Sequence, residues 1–184
     1  IADCTILIGV QQGGRFLDLR AHALKELMEL GAQYIALGSL VPFFNRNHDV
    51  EFVGRIIKQA REIVSPDIPL HLYGSGDPLE LPFYVALGCD VFDSSSFIHY
   101  ARDGWYMTPY GALKGREMLE SVQYACRCPY CQSAGQELWQ DVRMLTAHNL
   151  WVILDVVQGA GQMARDNVLL NHLDHIIDTH QRWF

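Results

Sequence analysis

The chain has 184 residues, 49% of them hydrophobic, and a mean hydropathy of +0.03. These values exclude a disordered chain and allow a single sizeable core. No run approaches the roughly 20 apolar residues of a spanning helix and the start lacks the basic segment of a signal peptide, so the sequence reads as cytoplasmic with no membrane partner. The formal net charge of −7 argues against a non-specific nucleic-acid coat, which needs a basic surface, but leaves room for a local basic patch.

The chain begins at Ile1 rather than Met and enters a predicted strand within a few residues, which suggests a fragment or processed half of a longer chain. Residues 5–10 are a continuous apolar, β-branched run, the pattern of a strand buried on both faces of a parallel sheet. Gln11-Gln12-Gly13-Gly14 ends it. Over residues 16–30, Leu17, Ala21, Leu24 and Met28 recur at helical spacing, and Gly31 supplies the C-terminal stop. Residues 34–38 form a second buried strand, followed by the loop Ser39-Leu40-Val41-Pro42. A helix follows on which Val50, Val53, Ile57, Ala60 and Val64 make one stripe. Residues 69–74 are the third strand, and Asp77 is the N-cap of a short helix containing Pro82. Gly88 closes that helix, and Cys89-Asp90-Val91-Phe92-Asp93 is the fourth strand.

Four successive strand–helix units predict a parallel sheet with right-handed crossovers. The fold class is α/β, half of an eightfold (β/α)8 barrel, with an open doubly wound sheet as the competing architecture. Residues 96–111 turn aromatic and irregular and read as a long ordered loop. Residues 137–157 and 167–183 read as two helices around Gly159 and Gly161. The organisation expected is a barrel half over residues 1–111, a metal-binding insertion over 112–150, and C-terminal helices over 151–184. The sheet edges left by half a barrel invite self-association or require a complementary half, so a homo-oligomer is expected.

Asp93 ends the fourth strand and is followed by Ser94-Ser95-Ser96. In a parallel barrel that end of the strand faces the active site. The simpler alternative is an acidic terminus that caps the next turn. Gln12, followed by Gly13 and Gly14, offers an amide donor and acceptor to a planar ligand at the first strand's end. Ser39 and Leu40 offer backbone groups at the second. Gly74-Ser75-Gly76 is only a weak match to a phosphate-binding turn. Cys126, Cys128 and Cys131 are clustered, with His148 on a predicted helix, and supply three thiolates and an imidazole for a tetrahedral zinc. With all four positions taken by protein the zinc is structural. His172 and His175 are alternative fourth ligands. Cys4 and Cys89 sit in predicted strands as small apolar residues. Arg102, Lys114, Arg116 and Arg127 flank the cysteine cluster and are candidates to meet phosphates.

The order Val10-Gln11-Gln12-Gly13-Gly14, Asp18-Leu19-Arg20, Tyr34-Ile35-Ala36-Leu37-Gly38, Val91-Phe92-Asp93, the Cys-x-Cys-x-x-Cys run and His148-Asn149-Leu150 resembles the C-terminal half of the tRNA-guanine transglycosylases. The resemblance runs from Gly9 to about Leu150. Leu40-Val41-Pro42, Phe92-Asp93-Ser94 and Tyr106-Met107-Thr108-Pro109-Tyr110-Gly111 resemble the archaeosine branch more than the queuosine branch. The resemblance implies the C-terminal half of a (β/α)8 barrel with an inserted structural zinc subdomain, and an enzyme that exchanges a guanine of tRNA for a 7-deazaguanine base such as preQ0. It makes Asp93 the nucleophile, Gln12 and Gly13 part of the base pocket, Ser39 and Leu40 the backbone contacts to the base edge, and Cys126, Cys128, Cys131 and His148 the ligands of Zn2+. Ser39 stands where a glycine is common in the queuosine branch. The family's second essential aspartate belongs to the earlier half of the barrel and has no counterpart in these 184 residues. Insertion of 7-deazaguanine into DNA, a non-catalytic zinc-supported RNA-binding subunit, and an unrelated phosphate-binding barrel enzyme are the competing readings.

Overall fold

The structure is a computed structural model, and it describes residues 5–44 and 48–184. The chain forms two compact units, residues 1–75 with 84–94, and residues 76–83 with 95–184.

The first unit is built on a parallel sheet of order β1 (Gly9–Gln11), β2 (Ile35–Leu37), β3 (Leu70–Leu72) and β4 (Val91–Phe92). The register aligns Gln11 with Leu37, Leu37 with Leu72, and Leu72 with Phe92, so all four C-terminal ends lie in one row. Ile35, Leu37, Leu70 and Leu72 are fully buried against Leu24 of α1 (Leu17–Glu29) and Val53, Ile56, Ile57 and Ala60 of α2 (Val50–Ile63). The alternate residues Val10, Ala36, His71 and Val91 pair in the row between and face the other side of the sheet. α1 ends as its glycine foretells: Gly31 N donates to Met28 O and Ala32 N to Leu27 O, both at 3.0 Å, a double bond pattern that satisfies two of the helix's last carbonyls. α2 starts where Asp49 accepts from Phe52 N. Asp90 begins β4 by accepting from Leu70 N at 2.8 Å and pairing with Arg61.

In the second unit, α4 (Ser96–Arg102), β5 (Trp105–Thr108), β6 (Gly111–Lys114), α5 (Arg116–Ser121), α6 (Pro129–Ala134), a 3-10 turn (Gly135–Trp139), α7 (Val142–Arg165) and α8 (Leu169–Trp183) follow in order. β5 and β6 form an antiparallel hairpin. Asp77 caps the turn ahead of α3 (Leu81–Ala86), accepting from Leu79 N at 3.0 Å, and Pro82 falls in the first turn of α3, where its missing N–H costs nothing.

Three expectations are corrected. The first strand is Gly9–Gln11, not residues 5–10: the ladder with β2 begins at Gly9 opposite Ile35, and Ile6, Leu7 and Ile8 are exposed. Residues 96–111 are not a loop but a helix and most of a hairpin. Gly159 and Gly161 do not interrupt α7, because a 24-residue helix with a packed face absorbs about 1 kcal/mol per glycine. The placement of Cys4 in a strand lies outside the described residues.

Candidate active site and metal centre

The C-terminal ends of the four strands deliver the residues singled out from the sequence. Asp93 lies immediately beyond β4 with its side chain 59% exposed. Its Oδ1 accepts from Gly74 N at 3.3 Å and lies 3.0 Å from His71 Nε2. His71 Nδ1 in turn lies 3.1 Å from the hydroxyl of Tyr34, the residue just before β2. Gly74 fits this place for two reasons. Its φ is +79°, and a Cβ there would sit 2.6 Å from Val41 Cγ2. The Gly-x-Gly turn thus directs an amide at a carboxylate.

Across the row, the Ser39 hydroxyl donates to Gln12 Oε1, and both residues are exposed. Ser39 adopts φ +58°, a left-handed conformation that an L side chain occupies at a cost of about 1–2 kcal/mol. Gln12 Nε2 rests over Gly38, where an added Cβ would come within 2.7 Å of it. The donated hydroxyl occupies the amide oxygen, leaving the amide N–H groups to present to an acceptor. Leu40 is fully buried in the core, so what it can offer outward is backbone; Gly13 packs against Arg20.

Arg20 organises these strand ends, and sequence reasoning gave it no role of its own. Fully buried, it donates through Nε to Gly14 O at 2.7 Å, through Nη1 to Gln11 Oε1 at 2.9 Å and through Nη2 to Gly38 O at 3.2 Å. Burial lowers its pKa, and the three acceptors offset the loss of hydration. A signal existed: Leu17, Arg20 and Leu24 share one helical face, and only one is charged. His71 had a similar signal, as the polar residue in Leu70-His71-Leu72.

In the second unit, Cys126, Cys128, Cys131 and His148 converge, with their ligand atoms all within 4.8 Å of one another. His148 Nδ1 lies 3.8, 3.3 and 3.4 Å from the three sulfurs in chain order. Its Nε2 donates to Met107 O at 2.9 Å, which fixes the tautomer and leaves the Nδ1 lone pair facing the thiols. Cys128 N donates to Cys126 Sγ at 3.4 Å and Cys131 N to Cys128 Sγ at 3.2 Å. The Tyr106 ring stacks on His148 with centroids 3.8 Å apart, and its hydroxyl lies 3.2 Å from Cys131 Sγ. A hydrogen bond from Cys131 pulls the Cys126 thiol far below its ordinary range, burial pushes Cys128 up, and the bond to Cys126 pushes Cys131 up. His172 and His175 lie elsewhere, on α8, His175 with its Nε2 3.3 Å from the Tyr110 hydroxyl.

Asn149, beside His148, joins α7 to the hairpin: its Oδ1 accepts from Met107 N at 3.0 Å and its Nδ2 donates to Trp105 O at 3.0 Å and Phe97 O at 3.3 Å. Of the flanking cations, Lys114 lies over the Trp105 ring at 5.3 Å and Arg116 pairs with Glu120 at 2.5 Å, while Arg102 and Arg127 are exposed.

These features define an α/β protein with a carboxylate poised at the C-terminal ends of a parallel sheet and a closed three-cysteine, one-histidine site that can hold a metal ion. The chain matches the family model described as Queuine tRNA-ribosyltransferase over residues 2–182, and it belongs to that family. It is 32% identical over 183 residues to the tRNA-guanine(15) transglycosylase of Methanocaldococcus jannaschii, covering 96% of this chain and 28% of that protein. The corresponding protein of Methanopyrus kandleri is 34% identical over 177 residues, covering 93% of this chain and 38% of that protein. That of Pyrococcus abyssi is 32% identical over 180 residues, with 94% and 30% covered. The chain therefore spans 28–38% of the length of these relatives. Among the described residues, no helix is long and apolar enough to cross a membrane.

Proposed function

We propose that this chain supplies half of the active site of a tRNA-guanine transglycosylase of archaeosine type, in which Asp93 is the nucleophile that exchanges a guanine for a 7-deazaguanine base. The observation that carries the reading is the placement of Asp93: a half-exposed carboxylate immediately beyond β4, approached by the Gly74 amide, in the same strand-end row as the Gln12 amide. The names of the relatives support guanine 15 of tRNA as the target. Four parallel strands with their functional groups at one end suit half of a (β/α)8 barrel. Among the described residues the parallel sheet has four strands, and the reaction in this reading takes place in an assembly that also supplies further strands and the second acid that the family resemblance implies.

The target nucleotide is turned out of its stack into the site. A carboxylate oxygen of Asp93 bonds to ribose C1′ as the C1′–N9 bond breaks, and the leaving guanine takes a proton at N9 from the second acid. The incoming base returns a proton from its own N9 to that acid, and its N9 displaces the carboxylate from C1′. Two displacements at one carbon retain configuration. Gln12, oriented by Ser39, donates to the carbonyl edge of the base, and Leu40 and Gly13 contribute backbone.

The metal in this reading is zinc. Zn–S bonds of about 2.3 Å and a Zn–N bond of about 2.0–2.1 Å imply sulfur-to-nitrogen edges of about 3.6 Å in a tetrahedron, and the observed separations of 3.3, 3.4 and 3.8 Å bracket that value. Cys126, Cys128, Cys131 and His148 would hold the ion with all four protein ligands, leaving no open position for a reactive water, so it would serve to join the cysteine segment to α7.

The test is adduct trapping with the complete enzyme and unmodified tRNA. Wild type is expected to form a denaturation-resistant covalent complex, and Asp93→Asn to form none while binding tRNA nearly as well, because phosphate contacts dominate that affinity. Asp93→Glu should lose about a hundredfold in exchange through misplacement of the attacking oxygen. An adduct that persists in Asp93→Asn overturns the assignment.

A further inference from the structure

We propose that Tyr34 and His71 form a positioning relay that holds Asp93 Oδ1, so that Oδ2 is the atom that attacks. This rests on the reading of Asp93 as nucleophile and adds which oxygen reacts and what aims it. His71 is 13% exposed in its side chain, and its Nε2 has no well-aligned hydrogen bond, although Asp93 Oδ1 lies 3.0 Å away. A buried N–H with one carboxylate oxygen in reach, out of line in the resting site, is a donor that engages once substrate settles the carboxylate; such bonds commonly tighten only in the reacting complex. The Gly74 amide approaches the same oxygen at 3.3 Å. Both donors gather on Oδ1, whereas Oδ2 takes part in no hydrogen bond among the described residues.

Tyr34 sets the tautomer of His71. Its hydroxyl lies 3.1 Å from Nδ1, and by donating there it leaves the single ring proton on Nε2, facing Asp93. Burial, then the nearby Tyr73, Asp90 and Asp93, raise the Tyr34 pKa, so the hydroxyl keeps the proton it donates. Tyr73 packs edge-on to the imidazole with centroids 4.6 Å apart and restricts its rotation. Asp90 is committed elsewhere, to Arg61 and Leu70 N. The direction of the relay is therefore Tyr34 to His71 to Asp93.

The experiment measures exchange of labelled guanine, single-turnover adduct formation and melting temperature in the complete enzyme. His71→Leu is expected to lower kcat and the adduct rate about a hundredfold with KM for tRNA nearly unchanged. His71→Gln, whose amide nitrogen reaches the place of Nε2, should recover to within about tenfold of wild type, and Tyr34→Phe should fall between. A merely structural role predicts instead that His71→Gln is as slow as His71→Leu, with activity following melting temperature. That pattern, or a His71→Leu rate within about threefold of wild type, overturns the relay while an adduct-free Asp93→Asn leaves the nucleophile assignment standing. If His71→Leu does not fold, the other two variants decide: wild-type kcat in Tyr34→Phe together with loss of rescue in His71→Gln overturns the relay. An adduct in Asp93→Asn overturns both.

Discussion

Arg20 Nη1 donates to Gln11 Oε1 at 2.9 Å, and neither side chain reaches solvent. The return bond, Gln11 Nε2 to Arg20 O at 3.2 Å, closes a ring that locks α1 to the end of β1. Removing the guanidinium leaves the buried Gln11 Oε1 and Gly38 O, and the exposed Gly14 O, without this donor, and each buried acceptor left unmet costs about 1–3 kcal/mol. Arg20→Ala is expected to lose about 3 kcal/mol or more by urea denaturation. Arg20→Lys should recover only part of it, because an ammonium cannot span the three acceptors of a planar fork. Equal stability of Arg20→Ala and wild type would refute this account.

Ser39 joins a strained backbone to a useful hydroxyl. Ser39→Gly removes the left-handed strain at φ +58° and also removes the bond that orients Gln12. Stability should change by less than about 1 kcal/mol, since glycine relieves strain but enlarges the unfolded ensemble, whereas KM for the base should rise several-fold. A KM unchanged in Ser39→Gly would show that Gln12 needs no such anchor.

The cysteine cluster is expected to hold close to one zinc per chain by metal analysis. Because bound thiolates must shed their protons, retention should weaken as pH falls and chelator-driven loss should be faster in acid. Cys128→Ser, at the fully buried ligand, should abolish stoichiometric zinc and lower the melting temperature of the purified enzyme. Unchanged metal content in this variant would remove Cys128 from the ligand set.

Asn149 offers a test of how the metal centre is held. Its three bonds join α7 to Met107, Trp105 and Phe97, and Met107 O receives the His148 Nε2 proton. Asn149→Ala should cost about 2–4 kcal/mol through unmet buried backbone groups, and it should speed zinc release by chelator although no ligand has changed. Release at the wild-type rate would mean that His148 is oriented without help from its neighbour.

Local pattern carried much of the architecture. Of the stripe Val50, Val53, Ile57, Ala60 and Val64, the last four are buried and Val50 is half-buried against the same core, Gly31 did close α1, and Asp93 did fall just beyond a parallel strand. Each depends on interactions within a few residues, or on a periodicity that any buried helix or strand must have. The hairpin of β5 and β6 was not legible in the same way. Its aromatic residues fit several conformations, and α7 selects one by supplying Asn149 to the backbone of Trp105 and Met107.

The sequence by itself determined the four strand–helix units, the cysteine cluster and the carboxylate at the strand end, because local spacing and residue type suffice for each. Only the tertiary structure decided that Arg20 ties Gln11 to Gly38 and that Tyr34 meets His71 and His71 meets Asp93. Partners such as Tyr34 and His71, 37 positions apart, are brought together by the parallel register of β2 and β3, which no local window contains. Likewise, the choice of His148 over His172 and His175 follows from the bond of His148 to Met107, 41 residues away, a consequence of how α7 packs on the hairpin rather than of any spacing in the chain.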